Sequence, residues 1–288
     1  MPEVFVPSIQ WFPGHMTRAF RTMESEKKNV DVIVEIVDAR IPKSSRNPEF
    51  DRIFGGMPRV LFLNKSDLAD PAATKQWEAY YKGLGYGVLS VNSKGGKLAG
   101  AVYDAVREKL ADKIAAQQAR GITGARVRAM IVGIPNAGKS TFINNIAGSR
   151  RANAEDRPGV TRGKQWITVA GMDLLDMPGV LWPKLEDREG AAKLACTGAI
   201  RDEILNVEEL AIYFLYLART LYPGSLQQRY GLPEELPEDN YELLQQIARR
   251  RGMVIRKGEP DTERAANMLL DEFRGGKLGR LTLEVPPL

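Results

Sequence analysis

Residues Gly133 to Thr141 read GIPNAGKST, and no other stretch narrows the folds open to this chain as far. They follow the apolar run Ala129, Met130, Ile131, Val132 and precede a helical pattern from Phe142 to Ala147. Strand, glycine loop and helix in that order, with the spacing G-x-x-x-x-G-K-[ST], describe a loop whose backbone N–H groups converge on phosphate oxygens. The helix N-terminus adds its partial positive charge. Gly133 and Gly138 let the backbone turn and approach phosphate where a Cβ would collide. Lys139 is expected to reach the β- and γ-phosphates, Ser140 to offer its hydroxyl to Mg²⁺, and Thr141 to sit over the α-phosphate. The competing reading is an ordinary glycine turn before a helix, and the flanking strand and helix weigh against it.

The segments around this loop predict an α/β fold. Val30 to Val37 is a continuous β-branched run, the pattern of a strand buried on both faces of a parallel sheet, and a short polar connection containing Pro42 follows it. Arg59 to Leu63 is a second such strand, and it delivers Asn64-Lys65-Ser66-Asp67 at its C-terminal end, where open α/β sheets bind ligands. NKSD matches N-K-x-D. A carboxylate at Asp67 accepts from guanine N1–H and the exocyclic amine together, a donor pair that adenine lacks, while Asn64 and the Lys65 stem support the base. Pro71 to Lys82 reads as a helix and Tyr86 to Leu89 as a strand. Ser90-Val91-Asn92-Ser93 follows as a polar loop, placed where a second base-contacting loop belongs. Leu98 to Arg120 reads as one long helix.

After the phosphate loop comes the basic segment RPGVTRG, residues 157–163, in which Thr161 is a candidate second hydroxyl for Mg²⁺ and the γ-phosphate. Lys164 to Val169 and Met172 to Leu175 form a hairpin-like pair leading into Asp176-Met177-Pro178-Gly179, a D-x-x-G. An aspartate at a strand end holds the metal's water shell, and a glycine there offers its N–H to the γ-phosphate and lets the loop move. Beyond Val180 the pattern turns helical: Glu189 to Thr197, Val207 to Leu221, Tyr241 to Arg251 and Thr262 to Phe273. The expected organisation is a nucleotide-binding domain over residues 1–185 and a helical domain over 186–288.

Composition limits the function. No run of eighteen apolar residues is present and the first residues lack a charged-then-apolar signal, so a cytoplasmic protein without a membrane partner is expected. Cys196 is the only cysteine and His15 the only histidine, which excludes an internal disulfide and a Cys/His zinc cluster. Net charge is +5, yet residues 201–288 carry 12 Lys and Arg against 15 Asp and Glu, so the positive excess lies in the nucleotide-binding part. That excess permits a polyanionic partner. Arg249-Arg250-Arg251 with Arg256 and Lys257 is a local basic cluster, read either as a nucleic-acid contact or as a solvated helix end. At the N-terminus IQWFPGHM, residues 9–16, reads as irregular, and Thr17 to Lys28 as a basic amphipathic helix. A lone histidine such as His15 is by default a surface or hydrogen-bonded structural residue.

The base-reading motif precedes the phosphate loop, and DMPG comes last; in the usual GTPase order the phosphate loop comes first and the base loops last, so the two halves are exchanged here. With IQWFPGHM, VDARIP, NKSD, GIPNAGKST, PGVTRG and DMPG in sequence and a helical tail of fitting length, the chain resembles the circularly permuted GTPases, and among them the YlqF/RbgA ribosome biogenesis GTPase family. The resemblance implies a large-subunit assembly factor that binds ribosomal RNA and hydrolyses GTP to GDP when docked on the precursor particle, and that is a monomer off the ribosome. Carried over, guanine specificity falls on the NKSD residues Asn64, Lys65, Ser66 and Asp67. Phosphate and Mg²⁺ contacts fall on Asn136, Ala137, Gly138, Lys139, Ser140, Thr141, Thr161, Asp176 and Gly179. SVNS departs from the more general S-A-K, leaving open whether Ser90 or the Asn92-Ser93 pair meets the base. Val180 stands where many GTPases carry the glutamine that orients the attacking water, and the resemblance assigns that work to His15. Asn136 resembles an asparagine that seats a potassium ion beside the phosphates. The alternative to a hydrolysing switch is an RNA-binding assembly module that uses GTP only as a conformational ligand. Since DMPG closes the nucleotide-binding domain, the short connection Leu181-Trp182-Pro183 is expected to pass its movement to the helical domain.

Overall fold

The computed structural model describes residues 5–9, 11, 14–122, 124–148, 165–169 and 171–287. Among these, six strands form one sheet: β1 (Val32–Asp38), β2 (Arg59–Asn64), β3 (Gly87–Ser90), β4 (Val127–Gly133), β5 (Gln165–Val169) and β6 (Met172–Asp176). Their order across the sheet is β3-β2-β1-β4-β6-β5. All neighbours run parallel except the β5–β6 hairpin at one edge. Every residue of β1 is buried, Glu35 and Asp38 included, as expected of a strand covered on both faces.

Alternation along β2 shows the two faces. Leu61 and Leu63 enter a small cluster with Trp77 and Tyr81 of α3 (Pro71–Gly83), whereas Val60 and Phe62 join the main core. Phe62 meets Phe142 of α6 (Lys139–Ala147) with ring centroids 5.0 Å apart. The sheet is therefore wound on both sides. The chain runs outward from β1 to β2 and β3, then returns through α4 (Ala99–Lys109) and α5 (Ala111–Ala119) to place β4 on the other side of β1. That reversal opens a crevice at the carboxyl ends of β1 and β4, where open α/β sheets bind ligands.

The helical part comprises α7 (Arg188–Cys196), α8 (Val207–Leu221), α9 (Ser225–Tyr230), α10 (Asn240–Arg250) and α11 (Thr262–Arg274). Asp187, Asn206, Asp239 and Asp261 cap four of these by accepting from a backbone N–H two or three residues on. Phe214 and Phe273 hold α8 on α11, with centroids 4.7 Å apart. One apolar cluster continues from the sheet into these helices. Polar ties cross the same boundary: buried Arg40 donates to the Arg274 carbonyl at 3.4 Å and lies 5.2 Å from the centroid of Phe273. Arg274 in turn grips Asp202 and the Ala195 and Cys196 carbonyls at the end of α7. Cys196 is buried, and burial pushes its thiol up to about 12.

Four elements depart from the sequence reading. α1 (His15–Glu26) begins inside the segment read as irregular, so His15 opens a helix. The connection after β1 contains a helix, α2 (Pro48–Ile53), started by an Asn47 side chain that accepts from Glu49 N–H and by Pro48 in the first turn. The long helix predicted over residues 98–120 breaks at Leu110 into α4 and α5. Short α9 falls between the helical stretches that the sequence marks.

Candidate functional site

The loop after β4 sits where its glycines are required. A Cβ on Gly133 would lie 2.8 Å from the Ile36 carbonyl oxygen of β1. Gly138 has φ +91° and a Cβ there would lie 2.3 Å from Asn64 Nδ2. This glycine is also the N-cap of α6, which has no side-chain cap, so the first-turn N–H groups remain available to a ligand anion. Ser140 and Thr141 are half-buried in that first turn. Lys139 is nine-tenths buried and donates from Nζ to Asp176 Oδ1 at 2.6 Å, joining the phosphate loop to the D-x-x-G motif. A Cβ on Gly179 would press within 3.0 Å of the Pro135 backbone, so this segment approaches the loop as closely as glycine allows. Val180 is fully buried; its N–H donates to the Gly133 carbonyl at 3.2 Å and its carbonyl accepts from Asn47 Nδ2 at 2.9 Å. A valine held this way orients no water. The next residue donates Leu181 N–H to Met16 Sδ at 3.3 Å, which brings the start of α1 beside the exit from DMPG. The His15 side chain, and Thr161 entirely, lie outside the described residues.

The base side is cross-linked by Asn64. Its Nδ2 donates to the Ala137 carbonyl at 2.8 Å, and its Oδ1 accepts from Ser93 N–H at 3.1 Å and Ser93 Oγ at 2.6 Å. One buried amide thus ties three loops together: NKSD, GIPNAGKST and SVNS. Ser93 is thereby committed to Asn64, while Asn92 Oδ1 closes a local turn by accepting from Lys94 N–H at 2.9 Å. Ser90 N–H donates to Glu78 at 2.9 Å. Ser66 N–H donates to the Val91 carbonyl at 3.1 Å, pairing the two base loops, and Asp67 stands exposed beyond it. Lys65, at φ +59°, crosses the crevice and donates to the Asn136 carbonyl at 2.5 Å and to Asp38 Oδ2 at 3.0 Å. Asn136, at φ +56°, sends its Nδ2 to the Gly198 carbonyl at 2.7 Å, out of the phosphate loop and into the helical part.

Three residues important to this geometry, Asp38 and Arg40 of VDARIP and Asn145, were given no role by the motif reading. Asp38 ends β1 and receives Arg40 Nε and Nη2 at 2.9 and 2.7 Å. Burial alone would raise its carboxyl, but Arg40 and Lys65 together hold it well below the usual carboxylate range. Burial lowers the Lys65 ammonium, against the pull of Asp38. Asn145, on α6, donates to the Ser93 and Gly96 carbonyls at 3.1 and 3.0 Å and so fixes the SVNS loop to the phosphate-loop helix. A usable signal existed for Asn145, since asparagine is a weak former of helix interiors and is placed there for its amide.

Residues 128–247 match the model of a family described as 50S ribosome-binding GTPase. Ribosome biogenesis GTPase A of Bacillus cereus is 46% identical over 279 residues, covering 96% of this chain and 94% of that protein. The chain belongs to the ribosome biogenesis GTPase A family. Like its family, this ribosome biogenesis GTPase A member binds guanine nucleotide and hydrolyses GTP. Two solved YlqF structures superpose on it at 27% identity: a GDP-bound one with TM-score 0.67, covering 92% of this chain and 99% of that one, and a GNP-bound one from T. maritima with TM-score 0.66, covering 93% and 98%. This member of the ribosome biogenesis GTPase A family thus carries the P-loop fold and the permuted motif order together.

Proposed function

We propose that this GTPase is a cytoplasmic assembly factor for the large ribosomal subunit, monomeric off the particle, that binds ribosomal RNA and the precursor particle according to its bound nucleotide. The observation that carries the reading is the convergence of NKSD, GIPNAGKST and DMPG on one crevice, fastened by Asn64 and by the Lys139–Asp176 pair. Residues 1–185 serve as the nucleotide domain and 186–288 as the RNA-facing domain, with Arg249, Arg250, Arg256 and Lys257 exposed on one end of the helices. Among the described residues no helix is long and apolar enough to cross a membrane.

In this reading Asp67 reads guanine, with the Lys65 stem under the base and Ser66, Ser90 or the Asn92-Ser93 pair completing its edge. Asn64 acts by positioning all three loops. The backbone from Asn136 to Thr141, with Lys139, holds the phosphates. The oxygen donors Ser140, Thr161 and Asp176 suit a hard cation such as Mg²⁺, which takes one or two protein oxygens and completes its shell with phosphate and water. When bound, Mg²⁺ neutralises charge on the β- and γ-phosphates. Asn136 is the candidate neighbour of a potassium ion, with its amide N–H₂ committed to Gly198 and its oxygen facing away from that bond. His15 is assigned the attacking water. Support for that assignment is the buried Val180, which cannot do the work, and Met16, the next residue after His15, which contacts the Leu181 backbone just past DMPG.

The test is multiple-turnover GTP hydrolysis with and without large ribosomal subunits and their precursors. The expected result is slow turnover alone and stimulation by the particle, both lowered in His15→Ala. Equal rates with and without particle overturn the assembly-factor reading, and an undiminished His15→Ala rate overturns the histidine's role.

A further inference from the structure

The loop that presents Asp67 has no regular secondary structure, and its rigidity comes from the far end of the chain. After α11 the backbone turns at Gly275-Gly276 and runs back across the sheet part as a strap over residues 278–284, with Leu278, Leu281 and Leu283 buried. Leu281 N–H donates to the Leu68 carbonyl at 3.1 Å. Thr282 Oγ1 accepts from Asp70 N–H at 3.1 Å and Leu283 N–H donates to the Arg40 carbonyl at 2.7 Å. The Glu284 carboxylate accepts from Lys43 N–H at 2.7 Å and from the Ser44 hydroxyl. The strap is thereby stitched to the loops after both β1 and β2. Its other side is fixed to α8, where the Tyr222 hydroxyl accepts from Thr282 N–H at 2.8 Å and donates to the Thr282 carbonyl at 3.0 Å.

Arg280 makes the contact nearest the base reader. Its Nη2 donates to the Ser66 carbonyl at 2.7 Å and its Nε to the Ala69 carbonyl at 2.9 Å. Those two carbonyls bracket Asp67 and Leu68. Underneath, Leu68 packs so closely on Gly276 that a Cβ there would lie 2.7 Å from Leu68 Cδ2. A planar guanidinium with donors in a fixed fork suits two carbonyls held apart in this way, and a lysine ammonium does not. An unanchored loop would have to be ordered each time a base arrives, which weakens binding.

We propose that Arg280 and the strap carrying it are a positioning element of the guanine site, holding the loop that presents Asp67 ready for the base. The proposal rests on the reading of Asp67 as the guanine reader. Since the strap acts at the base end, it affects GDP and GTP alike and leaves the Mg²⁺ dependence of binding unchanged.

Affinities of the full chain for GDP, GTP, inosine diphosphate and xanthosine diphosphate test this in wild type, Arg280→Ala, Arg280→Lys and Asp67→Asn, with melting temperatures alongside. Inosine lacks the exocyclic amine, so the GDP-to-IDP ratio reports how well the carboxylate is placed. Arg280 is exposed, so Arg280→Ala is expected to melt near wild type. It should lose about tenfold in affinity for both GDP and GTP, the scale of one or two net hydrogen bonds. Its GDP-to-IDP ratio should fall, and Arg280→Lys should be intermediate. Asp67→Asn should turn preference towards the xanthine nucleotide. If Asp67→Asn does so while Arg280→Ala keeps the wild-type GDP-to-IDP ratio, the strap proposal is overturned and the base reading stands, whether or not the protein melts lower. If Asp67→Asn binds GDP as wild type does, the base reading itself fails and the strap proposal falls with it.

Discussion

The base end and the phosphate end of the crevice are fastened by different kinds of bond. At the base end, Asn64, Ser93, Asn145 and Arg280 satisfy backbone and amide groups on neighbouring loops, and none of these bonds uses the Asp67 carboxylate, which the proposed function gives to the base. At the phosphate end, the fastening includes an ion pair between Lys139 and Asp176, two residues that the proposed function also sets towards the nucleotide. On the proposed function, these bonds at the base end would hold the base site in place before a base arrives. Phosphate recognition draws on the same charges that hold the two loops together, so a ligand at Lys139 necessarily alters what holds DMPG. On the proposed function, specificity would belong to the first arrangement and switching to the second.

Removing Lys139 gives the largest expected effect. Lys139→Ala leaves Asp176 buried without its partner, and breaking a buried pair costs about 3–5 kcal/mol. Urea denaturation should show that loss, and nucleotide titration should show binding abolished in the same variant. Adding Asp176→Asn to Lys139→Ala removes the orphaned charge, so stability should return while binding does not. Recovery of both would mean that Lys139 holds the fold and not the phosphates. A base-end change such as Arg280→Ala should instead spare stability and alter discrimination.

Gly138 is where the two ends touch. Gly138→Ala forces a Cβ towards Asn64 Nδ2 and a left-handed backbone on alanine, a strain of order 1–3 kcal/mol. Its matched control is Gly148→Ala, also at positive φ (+63°) but with open space around the added Cβ. Thermal melts with saturating GDP and without nucleotide should separate them. Gly138→Ala should lose much of the shift that GDP gives the wild type, and Gly148→Ala should keep it. Equal shifts would show that the Asn64 cross-link is not part of nucleotide binding.

The elements that build the crevice were legible because each carries a local signal. A β-branched stretch gave β1 and an apolar run gave β2, glycine spacing gave the phosphate loop and Gly179, and 3.6-residue periodicity gave α7, α8, α10 and α11 nearly to the residue. The start of α2 was written in Asn47-Pro48, an N-cap followed by a first-turn proline, but the neighbouring Pro42 made the region look like a loop. What was not legible is what holds the motifs in place. Asn64 bonds Ala137, Arg40 bonds Arg274 and Arg280 bonds Ser66, pairs separated by tens to hundreds of residues with no periodic pattern between them. The motif reading gave Asn64 a place at the base, whereas its hydrogen bonds go to other loops. Only the fold shows that, since a buried amide finds its partners in space and not in sequence.

The smallest expected effect concerns how the phosphate end reaches the helical part, and the sequence and the structure suggest different routes. The sequence points to Leu181-Trp182-Pro183, the short connection after DMPG. In the structure Val180 and Leu181 are buried and tied to Asn47 and Met16, both in the nucleotide-binding part, so movement of Gly179 is resisted before it reaches Pro183. Asn136 offers a direct route: its backbone lies in the phosphate loop and its amide donates to Gly198 just after α7, whose end Arg274 clasps to α11. Asn136→Gly deletes that amide while keeping a residue at ease at positive φ, so the loop itself is not strained. One hydrogen bond contributes about 1 kcal/mol, which bounds the change in coupling at roughly fivefold. The measurement is the ratio of affinities for the precursor particle in a non-hydrolysable GTP analogue and in GDP. It should be taken for wild type, Asn136→Gly and a variant with a Gly/Ser insertion after Pro183. If coupling passes through Asn136, its variant lowers the ratio and the insertion leaves it within about twofold. The reverse result would return the role to the connection after DMPG, and a ratio unchanged in both would turn attention to Arg40, on the loop after β1, and to the strap after α11, which also tie the crevice to α11.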